Sequence, residues 1–173
     1  MIKNLIVLFL LPLFTTPQLS TSTYLPSHSF DFRSCTTGQT VTDSIDGEII
    51  ASPINGPICS SGGLSFDGVN DYVALTNWEW GGTTSFEAYV KYDSFSHSRV
   101  FGFGSGAYNN NVMLYNGGDT STIRLQVRQG STYKYISQGN YDSSTWTHVA
   151  ATVSGTTMKI YKNGVLLGTK TDG

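Results

Sequence analysis

The stretch Leu64–Leu75, LSFDGVNDYVAL, decides the fold. Apolar and polar side chains alternate on both sides of a bend at Asp67-Gly68-Val69-Asn70, which predicts a strand–turn–strand hairpin in a half-buried antiparallel sheet. A later run, Trp146–Gly168, WTHVAATVSGTTMKIYKNGVLLG, has the same alternation. In it Thr147–Val153 is expected to pair with Thr157–Tyr161, and Asn163-Gly164 supplies the φ > 0 dipeptide of a type I′ turn into Val165–Leu167.

The rest of the chain agrees with an all-β reading. Its 173 residues suffice for one domain with a real core and are too few for two of ordinary size. Ten basic residues against twelve acidic ones leave no electrostatic footprint for nucleic acid. Low charge (13%), many aromatics (13%) and 19 glycines suit strands joined by tight turns. No helical periodicity, internal repeat or low-complexity tract is visible.

The N-terminus reads as an export signal. Lys3 gives a short positive region, Leu5–Phe14 is apolar apart from Pro12, and Ser20 and Ser22 fit the −3 and −1 positions of a cleavage site. The apolar run is shorter than the roughly 20 residues of a membrane span. Residues 1–22 are therefore expected to be a signal peptide and 23–173 the folded domain, with no membrane span after cleavage. In an oxidising compartment Cys35 and Cys59 have only each other as partners, so a disulfide is expected. It would staple a weakly patterned connection rich in Gly, Pro and Ser.

Further strands are expected at Phe30–Phe32, Thr84–Tyr92, Arg99–Phe103, Val112–Tyr115, Ile123–Val127 and Tyr133–Ser137. In SFEAYVKY, Phe86, Ala88 and Val90 share one face and Glu87, Tyr89 and Lys91 the other. Alternation assigns Phe66, Tyr72, Phe86, Val90, Leu125, Trp146, Val149 and Ile160 to the core.

These motifs resemble landmarks of laminin-G-like jelly-roll domains in the concanavalin A-like lectin/glucanase superfamily: an early "LSFDGxxDYV", a "FTxEAWVKxD" strand and a later "WTHVAxT…G…YxNGxxxG". The loop Thr40–Gly47 is similar to the family's "TxxDSxxG". The resemblance runs from about Phe30 to the last residue and implies an antiparallel two-sheet jelly-roll sandwich. Family members continue to a closing segment like "FxGxIDEVRIYNRAL", whose strand lies beside the first one. No such segment follows Gly168 here, so the domain is expected to be C-terminally incomplete, with a gap beside Phe30–Phe32.

The resemblance implies a binding module rather than an enzyme. Glucanases of this fold carry an E-x-D-x-x-E run whose carboxylates share a strand face. Here Glu87 is followed on its face by Tyr89 and Lys91, so no second carboxylate stands in position. His28, His97 and His148 form no H-E-x-x-H motif, and His148 reads as a hydrogen-bonded structural residue. Calcium is the expected metal, if one binds: Asp67, Asn70 and Asp71 cluster on a turn, as a hard cation requires, although ordinary turn chemistry explains the same residues. Sugar binding needs aromatic platforms with polar neighbours. Trp78 and Trp80 flank Glu79 in a loop, and Tyr89, Arg124, Gln126, Arg128, Tyr133 and Tyr135 are placed on an exposed sheet face. The expected function is a secreted, non-catalytic module that binds a glycan or an extracellular glycoprotein. The alternatives are a protein–protein adhesion or structural domain and an accessory domain of a hydrolase.

Overall fold

The computed structural model describes residues 2–11 (backbone), 26–60, 62–77, 82–104 and 110–171. Fifteen strands and one 3₁₀ turn, Phe32–Ser34, make up the described structure. Every ladder between strands is antiparallel.

One layer is an eight-stranded sheet. Its central strand β8 (Thr84–Tyr92) pairs with β13 (Thr147–Ser154), and the ladder continues through β14 (Thr157–Lys162) to β15 (Val165–Thr171). The β14–β15 turn is the expected one, since Asn163 and Gly164 have φ of 48° and 79°. On its other side β8 pairs with β1 (Ile2–Leu11), which pairs in turn with β2 (Ser29–Asp31) and β6 (Gly63–Ser65). Strand β5 (Ile58–Ser60) closes that side.

The opposing layer is interrupted. A three-stranded sheet holds β3 (Val41–Thr42), β4 (Ile50–Ile54) and β7 (Tyr72–Leu75). A four-stranded meander runs in the order β12 (Thr132–Asn140), β11 (Thr122–Gln129), β10 (Asn111–Asn116) and β9 (Arg99–Gly104).

The core forms where the layers face each other. From β8 come Phe86, Ala88, Val90 and Tyr92, from β13 Val149 and Ala151, and from β14 Met158 and Ile160, all buried. Phe101, Val112, Leu114, Ile123, Leu125 and Ile136 meet them from the meander. Phe86 touches both Phe101 and Phe103, with ring centroids 4.8 and 5.0 Å apart, so one side chain joins the two layers. Burying each large apolar side chain stabilises by about 1.5–3 kcal/mol. The Cys35–Cys59 disulfide is present, with Cα atoms 5.8 Å apart.

Three expectations are corrected. Leu64–Leu75 is not a hairpin: β6 pairs with β5 and β1, whereas β7 pairs with β4. The bend carries the chain from one layer to the other, because alternation shows that a strand has a buried face but not which strand is its partner. Tyr72 is half exposed, at 51%, while Val73 and Leu75 of the same strand point inward. Trp146 is only part-buried and lies under the Lys91 ammonium, 5.8 Å from its ring centroid. Beside Phe30, the place expected to be a gap in domain 23–173 is taken by a strand from outside that domain: Leu8 pairs with Phe30 on one side and Ala88 on the other. Among the described strands a second interruption lies between β7 and β9.

Candidate functional site: an arginine–tyrosine face

The outward face of the meander follows from its register. Tyr115 lies opposite Arg124, Arg124 opposite Ser137, Gln126 opposite Tyr135, and Arg128 opposite Tyr133. Because alternate residues of a strand share a face, Tyr115, Arg124, Gln126, Arg128, Tyr133, Tyr135 and Ser137 all project away from the core. The inward partners Leu114, Ile123, Leu125 and Ile136 anchor that orientation.

The side chains interlock. The Arg124 guanidinium lies 4.8 Å from the Tyr135 ring centroid and 5.8 Å from that of Tyr115, so rings on both neighbouring strands flank it. Its Nε donates to Ser137 Oγ at 2.8 Å. Arg128 lies 5.9 Å from the Tyr133 ring and donates through Nε to the Gly130 carbonyl at 3.0 Å. Tyr133 and Tyr135 are near-parallel, 18° between planes, with centroids 6.3 Å apart. Each exposed cation–π contact is worth about 0.5–1 kcal/mol and, more usefully, fixes the rotamers that make a flat platform. Both tyrosines keep a wet side, at 55% and 43% exposure.

Gln126 differs from its neighbours in being buried, and its Oε1 accepts the Tyr115 hydroxyl at 3.0 Å. It holds Tyr115 from below. Beyond Tyr115 the face turns smooth: Gly102 and Gly104 stand opposite Met113 and Asn111. A side chain at Gly104 would lie 2.5 Å from Asn111 Cβ and 2.6 Å from the Asn110 carbonyl oxygen, so that position is closed to any larger residue.

The remaining expected residues lie elsewhere. Tyr89 is on the outer face of the eight-stranded sheet, not on the meander. There its ring packs 4.9 Å from that of His148, and His148 Nε2 is 3.1 Å from Glu87 Oε2. Trp78 and Trp80 lie outside the described residues. In the Asp67–Asp71 loop, Asp67 Oδ1 accepts the amides of Val69 (2.8 Å) and Asn70 (3.4 Å), and Asp71 Oδ2 accepts the Asp67 amide (2.9 Å). The Val69 amide foremost holds the Asp67 carboxyl below its usual pKa. The Asn70 carbonyl is taken by Asn55 at 2.8 Å. These bonds make a self-closing turn, in which one oxygen of each carboxylate already accepts backbone amides.

One cluster has no pattern in the sequence to announce it. His28 Nδ1 is 2.6 Å from Asp43 Oδ2 and 3.2 Å from Asp46 Oδ2, and it is the one group of three metal-ligating residue types among the described residues. The Asp43 carboxylate also takes the amides of Ser29 and Ile45 at 2.8 and 3.0 Å. Burial pushes its pKa up, but those amides and His28 more than offset this and hold it below the usual range. The cluster ties β2 to the β3–β4 loop. The sole sequence signal was Asp43 in its loop motif, with nothing to bring His28 to it.

A laminin G family profile, described as the Concanavalin A-like lectin/glucanases superfamily, matches residues 67–173. The chain belongs to this family. No curated protein and no solved structure matches it. Laminin G-like domains are typically binding modules without catalysis, and the two-layered antiparallel fold agrees with that membership. No helix among the described residues is long and apolar enough to cross a membrane.

Proposed function

We propose that this laminin G-like protein is a secreted glycan-recognition module that uses the outer face of its meander. The observation that carries this reading is the pair of exposed tyrosines, Tyr133 and Tyr135, with Arg124 and Arg128 held against them. Flat rings fit the apolar faces of sugars, and guanidinium groups suit hydroxyl and carboxylate oxygens in paired hydrogen bonds. Two arginines on one small platform favour a saccharide bearing carboxylate or sulfate. Secretion rests on the leader-like residues 1–22 together with the disulfide.

The test is a glycan array on the full chain, run with and without a calcium chelator, followed by calorimetry on the best acidic saccharide. Tyr135→Ala and Arg124→Ala should each weaken binding about tenfold, or about 1.4 kcal/mol. Unchanged affinity in both variants would remove the site from this face. Binding insensitive to chelation is expected, given the self-closed Asp67–Asp71 turn. A calcium-dependent profile would restore Asp67, Asn70 and Asp71 as ligands. An array with no saccharide bound would favour the adhesion reading.

A further inference from the structure

Strand β9 breaks its alternation at one point. Arg99 and Gly102 are exposed, while Val100 and Phe101 between them are both buried. The register slips there: Leu114 stands opposite Phe101 but Tyr115 opposite Arg99, so Val100 is the extra residue of a β-bulge. Strict alternation from Phe101 would send Arg99 inward, and the bulge turns it outward instead. Its side chain runs over Gly102, with Cδ 3.6 Å from the place a Cβ would take there. Arg99 thereby joins the outer face of the meander, across Tyr115 from Arg124. It differs from the other two arginines in being uncommitted. Arg124 and Arg128 donate through Nε to Ser137 and Gly130 and stand against rings. Arg99 makes no hydrogen bond, ion pair or ring contact with any described residue.

Arg99 also stands at a cleft of about 500 Å³ between residues 66–73 and 96–102, a volume usual for small-molecule sites. Phe66, Val73, Val100 and Phe101 give it an apolar lining. Asp71, Tyr72, His97 and Arg99 add polar groups. Both walls are fixed by their own hydrogen bonds. On one side the Asp67–Asp71 turn closes on itself. On the other, the fully buried Asn116 accepts the Ser98 amide at 2.6 Å and donates to the Gly118 and Thr120 carbonyls at 2.5 and 3.0 Å. The His97 amide donates to the Gly118 carbonyl at 2.9 Å. This network holds His97 at a φ of 41°, a left-handed conformation that residues with a side chain adopt only when their surroundings impose it, as at binding sites.

We propose that this cleft receives one acidic sugar residue and that Arg99 sets the preference for its carboxylate. The inference rests on the glycan reading above and extends it from the tyrosine platform past Tyr115 to the cleft. The planar guanidinium of Arg99 offers a carboxylate two parallel N–H donors, and no protein group competes for them. Asp71 uses Oδ2 for the Asp67 amide and keeps Oδ1 to accept a sugar hydroxyl. The apolar lining takes the C–H face of the ring. A cation and a carboxylate at one apolar cleft thus match the two polar chemistries of a uronic acid, its own carboxylate and its hydroxyls.

The experiment is an NMR titration of the full chain with methyl β-glucuronide and, as its uncharged counterpart, methyl β-glucoside. Amides within 71–73 and 96–102 should shift with the glucuronide, which should bind about tenfold more tightly than the glucoside. Arg99→Gln should remove that preference, lowering glucuronide affinity about tenfold and leaving glucoside affinity unchanged. Arg99→Lys, which keeps the charge but not the fork, should fall between. Because Arg99 is exposed and without partners, both variants should melt as the wild type does. The proposal is overturned if Arg99→Gln keeps the preference, if the two sugars bind equally to the wild type, or if the cleft amides do not shift. Shifts confined to Tyr115, Arg124 and Tyr135 would overturn it and leave the glycan reading standing. No shift anywhere, together with an empty glycan array, would overturn both.

Discussion

The meander from Arg99 to Asn140 pairs each strand with its neighbour in sequence, whereas the eight-stranded sheet joins Ile2–Leu11 to strands that begin at Ser29, Gly63 and Thr84. Their outer faces differ in the same sense. The large sheet covers its surface with pairs that satisfy each other, such as His148 with Glu87 and, at its margin, Lys162 with Asp142 at 2.8 Å. The meander instead presents stacked rings and guanidinium groups with one side toward water. A local hairpin ladder needs few distant contacts to form, so its surface can be given over to recognition. A sheet closed by remote segments depends on each of them, because its loops are costly to close and its edges are exposed when one is lost. Changes to the large sheet should therefore move stability, and changes to the meander's outer face should move binding.

The largest expected effect is removal of residues 2–11. That opens the ladder between β8 and the β2/β6 side along the pairs Leu8–Ala88, Leu8–Phe30 and Leu5–Leu64. Exposing even roughly 400 Å² of apolar surface costs on the order of 10 kcal/mol, comparable to a domain's whole net stability. The shortened chain should aggregate and lose its cooperative thermal transition. A monomer that melts cooperatively, seen by light scattering and circular dichroism, would break the contrast between the layers. Cleavage of the proposed leader would vacate the same place, so the mature protein would need another strand there.

The disulfide comes next. Cys35 and Cys59 enclose a separation of 24 residues and hold the segment after the 3₁₀ turn to β5. Closing a loop of that size stabilises by about 3 kcal/mol in the chain-entropy model. Cys35→Ser and Cys59→Ser should each lower the urea midpoint accordingly, and the double variant should fall no further.

How far the sequence carried depends on the kind of signal each element has. The meander and the β13–β15 run were legible, because hairpins with Gly130 or Asn163-Gly164 at the turn fix both strand and partner locally. The outer-face residues Arg124, Arg128, Tyr133 and Tyr135 followed from period two alone. Tyr89 is not among them, since alternation places a side chain on a face without saying which sheet owns the strand. Strands β3, β4 and β5 have no clear sequence signal: they are two to five residues long, and Pro53 in β4 argues against a strand. Pro53 is tolerated because β3 pairs only with Ile50 and Ala51, leaving β4 a neighbour on one side at that point. The His28–Asp43–Asp46 cluster depends on a contact 15 residues apart that no local pattern encodes.

Asp43 gives a pH-dependent way to sharpen the contrast. Its folded pKa is depressed, so it contributes stability above its unfolded pKa of about 3.9, and that contribution is lost as pH falls through the lower folded value. Asp43→Ala leaves the Ser29 and Ile45 amides without their acceptor and should cost about 2 kcal/mol at neutral pH. The stability difference between wild type and variant should shrink below about pH 4. A difference independent of pH would mean that the carboxylate's charge plays no part. Glycan affinity at neutral pH should be unchanged, since the cluster belongs to β2 and the β3–β4 loop.

The smallest expected effect lies within the meander's face and asks whether Arg124 and Tyr135 act as one unit. Each side chain is partly in water, so Arg124→Ala or Tyr135→Ala alone should change unfolding stability by no more than about 0.5–1 kcal/mol. The two are in contact, at 4.8 Å from guanidinium carbon to ring centroid, so the double variant should show a coupling energy of about 0.5 kcal/mol in stability. Binding should show stronger non-additivity. If the ring positions the guanidinium for an acidic saccharide, then once Arg124 is gone, removing Tyr135 loses only its stacking contact. Tyr135→Phe keeps the ring and should retain nearly full affinity. Strict additivity in both stability and binding would show that the two residues contact the ligand independently, and the flat platform would then be incidental to recognition.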